Sequence, residues 1–96
     1  MTASDMLESA RLAVRVNTIA YDEEILDLLE SALMDMGVAG VVIPEESSAL
    51  VRRCAITYVK CHFGEPDEYD RLKKSYDEQK AQLATCTGYT VWTDQT

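Results

Sequence analysis

Between Glu46 and Phe63, apolar side chains fall at Leu50, Val51, Cys54, Ala55, Ile56, Tyr58, Val59, Cys61 and Phe63. At about 100° per residue these positions cover much of the circumference of a helix. A helix apolar over so wide an arc has to be covered on several sides, which places it in the middle of a bundle or between subunits. Its charges, Arg52, Arg53 and Lys60, share the strip that remains, and Gly64 supplies a C-terminal stop. The rest of the chain is read as packing around this segment.

Three further helices are expected. The first runs from about Ser4 to Val16, with Met6, Leu7, Ala10, Ala13 and Val14 on one face and Thr2 with Asp5 approximating a capping box. The second runs from about Asp22 to Met36. Its first turn holds Asp22, Glu23 and Glu24, which complement the positive end of the helix dipole, and Ile25, Leu28, Leu29, Ala32, Leu33 and Met36 form its buried stripe. Gly37 is its expected stop. Val38 to Pro44 is a connector, either a short strand or an extended buried segment, because three β-branched residues before a proline disfavour helix. The fourth helix is expected from Pro66, a residue well suited to a first helical position, to about Thr85. In it Tyr69, Leu72, Tyr76, Gln79 and Leu83 recur at steps of three and four, a narrow seam like that of a coiled coil, while Asp67–Arg71 and Asp70–Lys74 are spaced for i, i+4 pairs. The fold class is therefore all-α: a four-helix domain over residues 1–96, with an extended connector between the second and third helices and an extended tail at 86–96. Tyr89 and Trp92 in that tail are expected to dock on the same subunit or the next.

At 96 residues with 4 Gly and 2 Pro, the chain has too few turn-formers for an all-β fold. A domain of this length buries roughly 60–65% of its unfolded surface, so neighbouring subunits are a natural source of added stability. The formal net charge of −8 is uneven. Residues 1–48 carry ten acids and two bases, residues 49–96 carry seven of each, and between Asp22 and Glu46 eight acids stand without a Lys or Arg. Such a chain does not grip DNA or an anionic membrane, since phosphate binding requires clustered bases. Glu23, Asp27 and Glu30 form a solvated acidic face of the second helix. The first nine residues carry no base and do not resemble a secretion signal, and no apolar run approaches a membrane span, so the chain reads as soluble and intracellular when made.

Catalytic and metal chemistry find little support. Cys54, Cys61 and Cys86 are an odd number without a close pair and read as reduced, partly buried thiols. Cys61 and His62 are adjacent on a helix and diverge by about 100°, so they do not share an ion. Neither a cysteine nucleophile with His62 as base nor a phosphate-binding loop has its accompanying glycines. His62 is expected as a partly buried residue at a helix end. No catalytic residue, cofactor or metal is assigned, and the chain is not read as an enzyme.

The stretch Tyr21-Asp22-Glu23-Glu24-Ile25 through Gly37, with a connector ending at Pro44, resembles the head–tail connector family of tailed phages. The resemblance is more specific at Ala55-Ile56-Thr57-Tyr58-Val59-Lys60-Cys61-His62-Phe63-Gly64, at Tyr69-Asp70-Arg71-Leu72-Lys73-Lys74-Ser75-Tyr76-Asp77-Glu78-Gln79-Lys80, and at Thr85-Cys86-Thr87-Gly88-Tyr89. It implies a mainly helical subunit of a ring, commonly dodecameric, at the head–tail junction of the virion, made in the host cytoplasm. Such rings join the portal protein to a tail-side head-completion protein and let genomic DNA pass without binding it specifically. Members are often described as DNA-packaging proteins.

Combined with the residue pattern, this gives two expectations for surfaces. Tyr69, Leu72, Tyr76 and Leu83, with Tyr89 and Trp92, form the subunit interface, so that Leu72→Asp or Tyr76→Asp blocks assembly without unfolding the chain. Glu23, Asp27 and Glu30 line an acidic channel or form an acidic surface face. The alternative is an acidic helical binding module that imitates DNA or sequesters a basic partner.

Overall fold

The computed structural model describes residues 1–64 and 66–85, and the tail residues Tyr89 and Trp92 lie outside them. Four α-helices follow in order: α1 (Ala3–Ala13), α2 (Asp22–Val38), α3 (Ala49–His62) and α4 (Tyr69–Thr85), with a 3₁₀ turn at Ile19–Tyr21 before α2. No strand occurs among the described residues. The connector expected from Val38 to Pro44 forms no strand: Val38 still belongs to α2, and beyond Gly40 the segment is irregular, with Val41 buried and Val42 exposed.

Successive helices alternate in direction. The end of α1 meets the start of α2 through Arg11, whose Nε donates to Asp22 Oδ1 at 2.7 Å and whose Nη2 donates to Oδ2 at 3.0 Å. This two-point contact holds the guanidinium firmly protonated. The end of α3 meets the start of α4, where the rings of His62 and Tyr69 lie 6.0 Å apart. The amino group of Met1 donates to the carbonyls of Pro44 and Glu45, bringing the start of α1 to the α2–α3 connector. One end of the bundle thus gathers the start of α1, the end of α2, the start of α3 and the end of α4. We call it the connector end.

Helix ends follow local chemistry. The Thr2 N–H donates to Asp5 Oδ2 at 2.8 Å, as the capping pattern predicts. α1 closes at Ala13, earlier than expected, in a motif that puts Arg15 at φ +59°. There Arg15 N–H reaches Leu12 O at 3.1 Å and Val16 N–H reaches Arg11 O at 2.9 Å, which satisfies the last carbonyls. α2 closes in the same way, but on Gly40 at φ +99° instead of Gly37. Gly40 N–H donates to Gly37 O and Val41 N–H to Met36 O, and the buried side chains of Val41 and Met36 supply the apolar contact typical of this cap. Gly37 is an exposed residue of the helix itself. α3 begins at Ala49 and not at Glu46, because Ser48 caps it by accepting the Val51 N–H at 3.3 Å.

α3 is the central helix, as its pattern demands. It packs against α1, α2 and α4, and buries Val51, Cys54, Ala55 and Val59 completely. Met6 and Ala10 of α1, Ile25, Leu29, Ala32 and Met36 of α2, and Tyr76 and Leu83 of α4 complete one core. α4 begins three residues later than predicted, at Tyr69, so Pro66 and Asp67 precede the helix. Arg71 pairs with Glu68 rather than Asp67, and within the helix Asp77 pairs with Lys73 at 2.8 Å and with Lys80 at 3.9 Å, in place of the expected Asp70–Lys74.

Candidate functional site

The surfaces of α2, α3 and α4 are the candidate sites, and the first question is where the seam of α4 points. Leu72, Tyr76 and Leu83 are all buried inside the subunit, Tyr76 at 2% exposure. Only Tyr69 remains open, at 41%. The seam packs inward against α3 and reaches α2, because a helix apolar on one narrow line needs only one covering neighbour, and α3 supplies it. As a surface open to another subunit, the expectation is corrected for these three residues. Steps of three and four identify a buried line without stating which chain buries it.

Sequence reasoning missed the polar junction at this interface. Tyr76 Oη donates to Asp35 Oδ2 at 2.6 Å, and Lys80 Nζ donates to the same oxygen at 2.9 Å while lying 5.1 Å from the centre of the Tyr76 ring. Hydrogen bonds from Lys80 and then Tyr76 hold the Asp35 carboxyl below the usual carboxylate range. Burial, followed by the bond to Asp35, pushes the Tyr76 phenol well above its ordinary value. The available signal was position: Asp35 sits beside Met36 on the flank of the α2 core stripe, away from Glu23, Asp27 and Glu30, and Lys80 lies one helical turn beyond Tyr76.

Aromatic rings extend from this junction along α3. Tyr76 and Tyr58 meet edge to face at 5.1 Å, Tyr58 and His62 lie tilted against each other at 4.3 Å, and His62 continues edge to face to Tyr69. His62 is exposed rather than partly buried, its ring lying against Tyr58 instead of entering the core. Cys54 and Cys61 are free and buried. Burial pushes the Cys54 thiol up to about 12 and raises Cys61 as well, the opposite of what a thiolate nucleophile or metal ligand requires. Among the described residues, no group of three or more His, Cys, Asp or Glu is placed to hold a metal ion.

The outer face of α2 carries Glu23, Asp27 and Glu30, all exposed. The same stripe continues at steps of four into Met34 and Val38, which are 73% and 88% exposed. It is therefore acidic over its first half and apolar towards the connector end. On α3, Arg53 and Lys60 point outward and Leu50 is 55% exposed, while Arg52 lies back to donate to Ser47 Oγ at 3.1 Å. Between α3 and α4 at the connector end runs an open groove lined by Leu50, Arg53, Gln79, Gln82, Leu83 and Thr85. The Gln79 Oε1 atom is enclosed there without a hydrogen-bond partner. No described helix is long and apolar enough to cross a membrane.

Among the described residues this arrangement offers exposed contact surfaces and no group of three or more His, Cys, Asp or Glu gathered at one point. A family model described as phage connector protein matches residues 6–90, most of the chain and all four helices apart from the first three residues of α1. No curated protein and no solved structure matches it. The all-helical fold and the family match agree, and the chain belongs to the phage connector protein family.

Proposed function

We propose that the chain is a structural virion protein that assembles with its own copies into a ring at the head–tail junction, between the portal and a tail-side protein, and lets DNA pass after packaging. The observation that carries this reading is the family match over residues 6–90. It is supported by the display of Met34 and Val38 one helical turn apart on the outer face of α2, with Leu50 open on α3, exposed apolar groups that a protein contact can cover. The stripe that holds Glu23, Asp27 and Glu30 runs on into Met34 and Val38. That continuation favours a face that meets protein over a wall that faces DNA, because a channel lining that repels phosphate gains nothing from exposed apolar groups.

Light scattering coupled to size-exclusion chromatography, over a range of concentrations, tests the reading. A ring or a concentration-dependent oligomer is expected, together with co-elution with a portal ring. A monomer at every concentration that shifts only when a basic protein is added supports the sequestering module instead.

A further inference from the structure

The outer stripes of α2 and α3 complement each other in charge and in spacing. Glu23 and Glu30 of α2 are seven residues apart, as are Arg53 and Lys60 of α3. At 1.5 Å per residue both intervals are about 10.5 Å. Met34 lies four residues beyond Glu30 towards the connector end, and Leu50 lies three residues beyond Arg53 in the same direction. Those offsets are about 6 Å and about 4.5 Å. From the connector end, both stripes therefore read apolar first and charged after, acidic on α2 and basic on α3.

One subunit cannot bring its own two stripes together, since both face away from its core. Two copies standing side by side in the same orientation can. α2 of one then lies antiparallel to α3 of the next, with Glu30 opposite Arg53, Glu23 opposite Lys60, and Met34 opposite Leu50 at the mouth of the α3–α4 groove. We propose that the outer stripe of α2 docks on the outer stripe of α3 of a second copy of this chain. The contact uses a different surface on each partner, so it repeats from copy to copy and closes into a ring when the rotation between copies permits. The occupant is argued to be this chain because both halves of the match, in sign and in interval, lie on it. The inference rests on the reading that the chain assembles with its own copies.

Sedimentation velocity of the full chain across a wide concentration range tests it with two variants at exposed positions, Met34→Asp on the α2 stripe and Arg53→Glu on the α3 stripe. Circular dichroism first establishes that both keep their helices. Each variant alone is expected to remain monomeric where the wild type assembles, with self-association weakened at least about tenfold by an acid placed in an apolar contact or against acids. Mixed in equal amounts, they are expected to form dimers and nothing larger, because each supplies the one stripe the other has lost. If the wild type assembles and the variants assemble as well as it does, or if the mixture stays monomeric, the docking of these stripes is overturned while the assembly reading stands. If the wild type is monomeric throughout, the assembly reading falls and the docking with it.

Discussion

The phenol of Tyr76 donates a 2.6 Å hydrogen bond to Asp35, joining α4 to α2 across 41 residues of sequence. Tyr76 is almost wholly enclosed and also meets Tyr58 of α3, so this one side chain touches both neighbouring helices. Hydrogen bonds to a charged group contribute about 1.5–3 kcal/mol. Tyr76→Phe is expected to cost about 1–2 kcal/mol, discounted because the Asp35 side chain is 41% exposed and keeps Lys80. The check is a thermal melt, in which a domain of this size shifts by roughly 4–8 °C per kcal/mol.

Substituting a charge into the same line has a larger effect. Leu72→Asp and Tyr76→Asp each place a carboxylate in the subunit's own core, and are expected to collapse the helical circular dichroism signal instead of merely blocking assembly. A folded, monomeric Leu72→Asp variant would return the seam to the subunit interface.

Asp35 also makes stability depend on acid. Its carboxyl titrates below the ordinary value of 3.8 in the folded chain, so its contribution is present above that value and lost as pH falls through the folded one. Urea unfolding from about pH 6 down to about pH 2 is expected to show stability declining below about pH 4–5. Asp35→Asn is expected to start lower at neutral pH and to decline less. Equal slopes for the two proteins would contradict the assignment. Asp5, held below its ordinary range by the Thr2 amide, remains in both and does not affect the comparison.

Backbone conformation offers a test independent of packing. Arg15 occupies the left-handed region at φ +59°, which costs a side-chain-bearing residue about 1 kcal/mol, whereas Gly40 meets the same demand at φ +99° with no Cβ. Arg15→Gly is expected to raise stability by about 0.5–1 kcal/mol, and Gly40→Ala to lower it by about 1 kcal/mol or more. Denaturant midpoints measured at constant slope report both.

Thiol chemistry follows from burial. With its thiol raised to about 12, Cys54 is expected to resist iodoacetamide at mildly alkaline pH in the folded chain and to react on unfolding. Peptide mapping by mass spectrometry distinguishes it from the other two cysteines. Rapid native labelling of Cys54 would show that the α3 core opens.

The four helices and the central place of α3 were legible because apolar spacing reports burial directly. Helix ends were less so. Gly37 was a reasonable stop by composition, yet Gly40 served, since the apolar clasp between Met36 and Val41 settles which glycine takes the left-handed turn. Pro66 could have opened α4, but the helix begins at Tyr69. The seam of α4 is legible as a buried line, and within the subunit Leu72, Tyr76 and Leu83 are covered, while the outward run of Met34 and Val38 is masked in the sequence by the acids of the same stripe. Periodicity measures how much of a helix is hidden and carries no information on which partner hides it. The Asp35–Tyr76–Lys80 junction needed the third dimension outright, because no local pattern relates residues more than forty positions apart.

α4 packs chiefly on α3, and it is made after the other three helices. While the ribosome is still adding it, α1, α2 and α3 can already pair with one another, each with a helix close in sequence. Through that interval Tyr58 and Cys61 of α3 lack the cover that Tyr76 and Tyr69 give them in the finished fold. A nascent chain caught at that stage would offer a neighbouring nascent chain a vacant berth for its own α4. Exchange of that helix between copies is therefore the misassembly to which this architecture is most open.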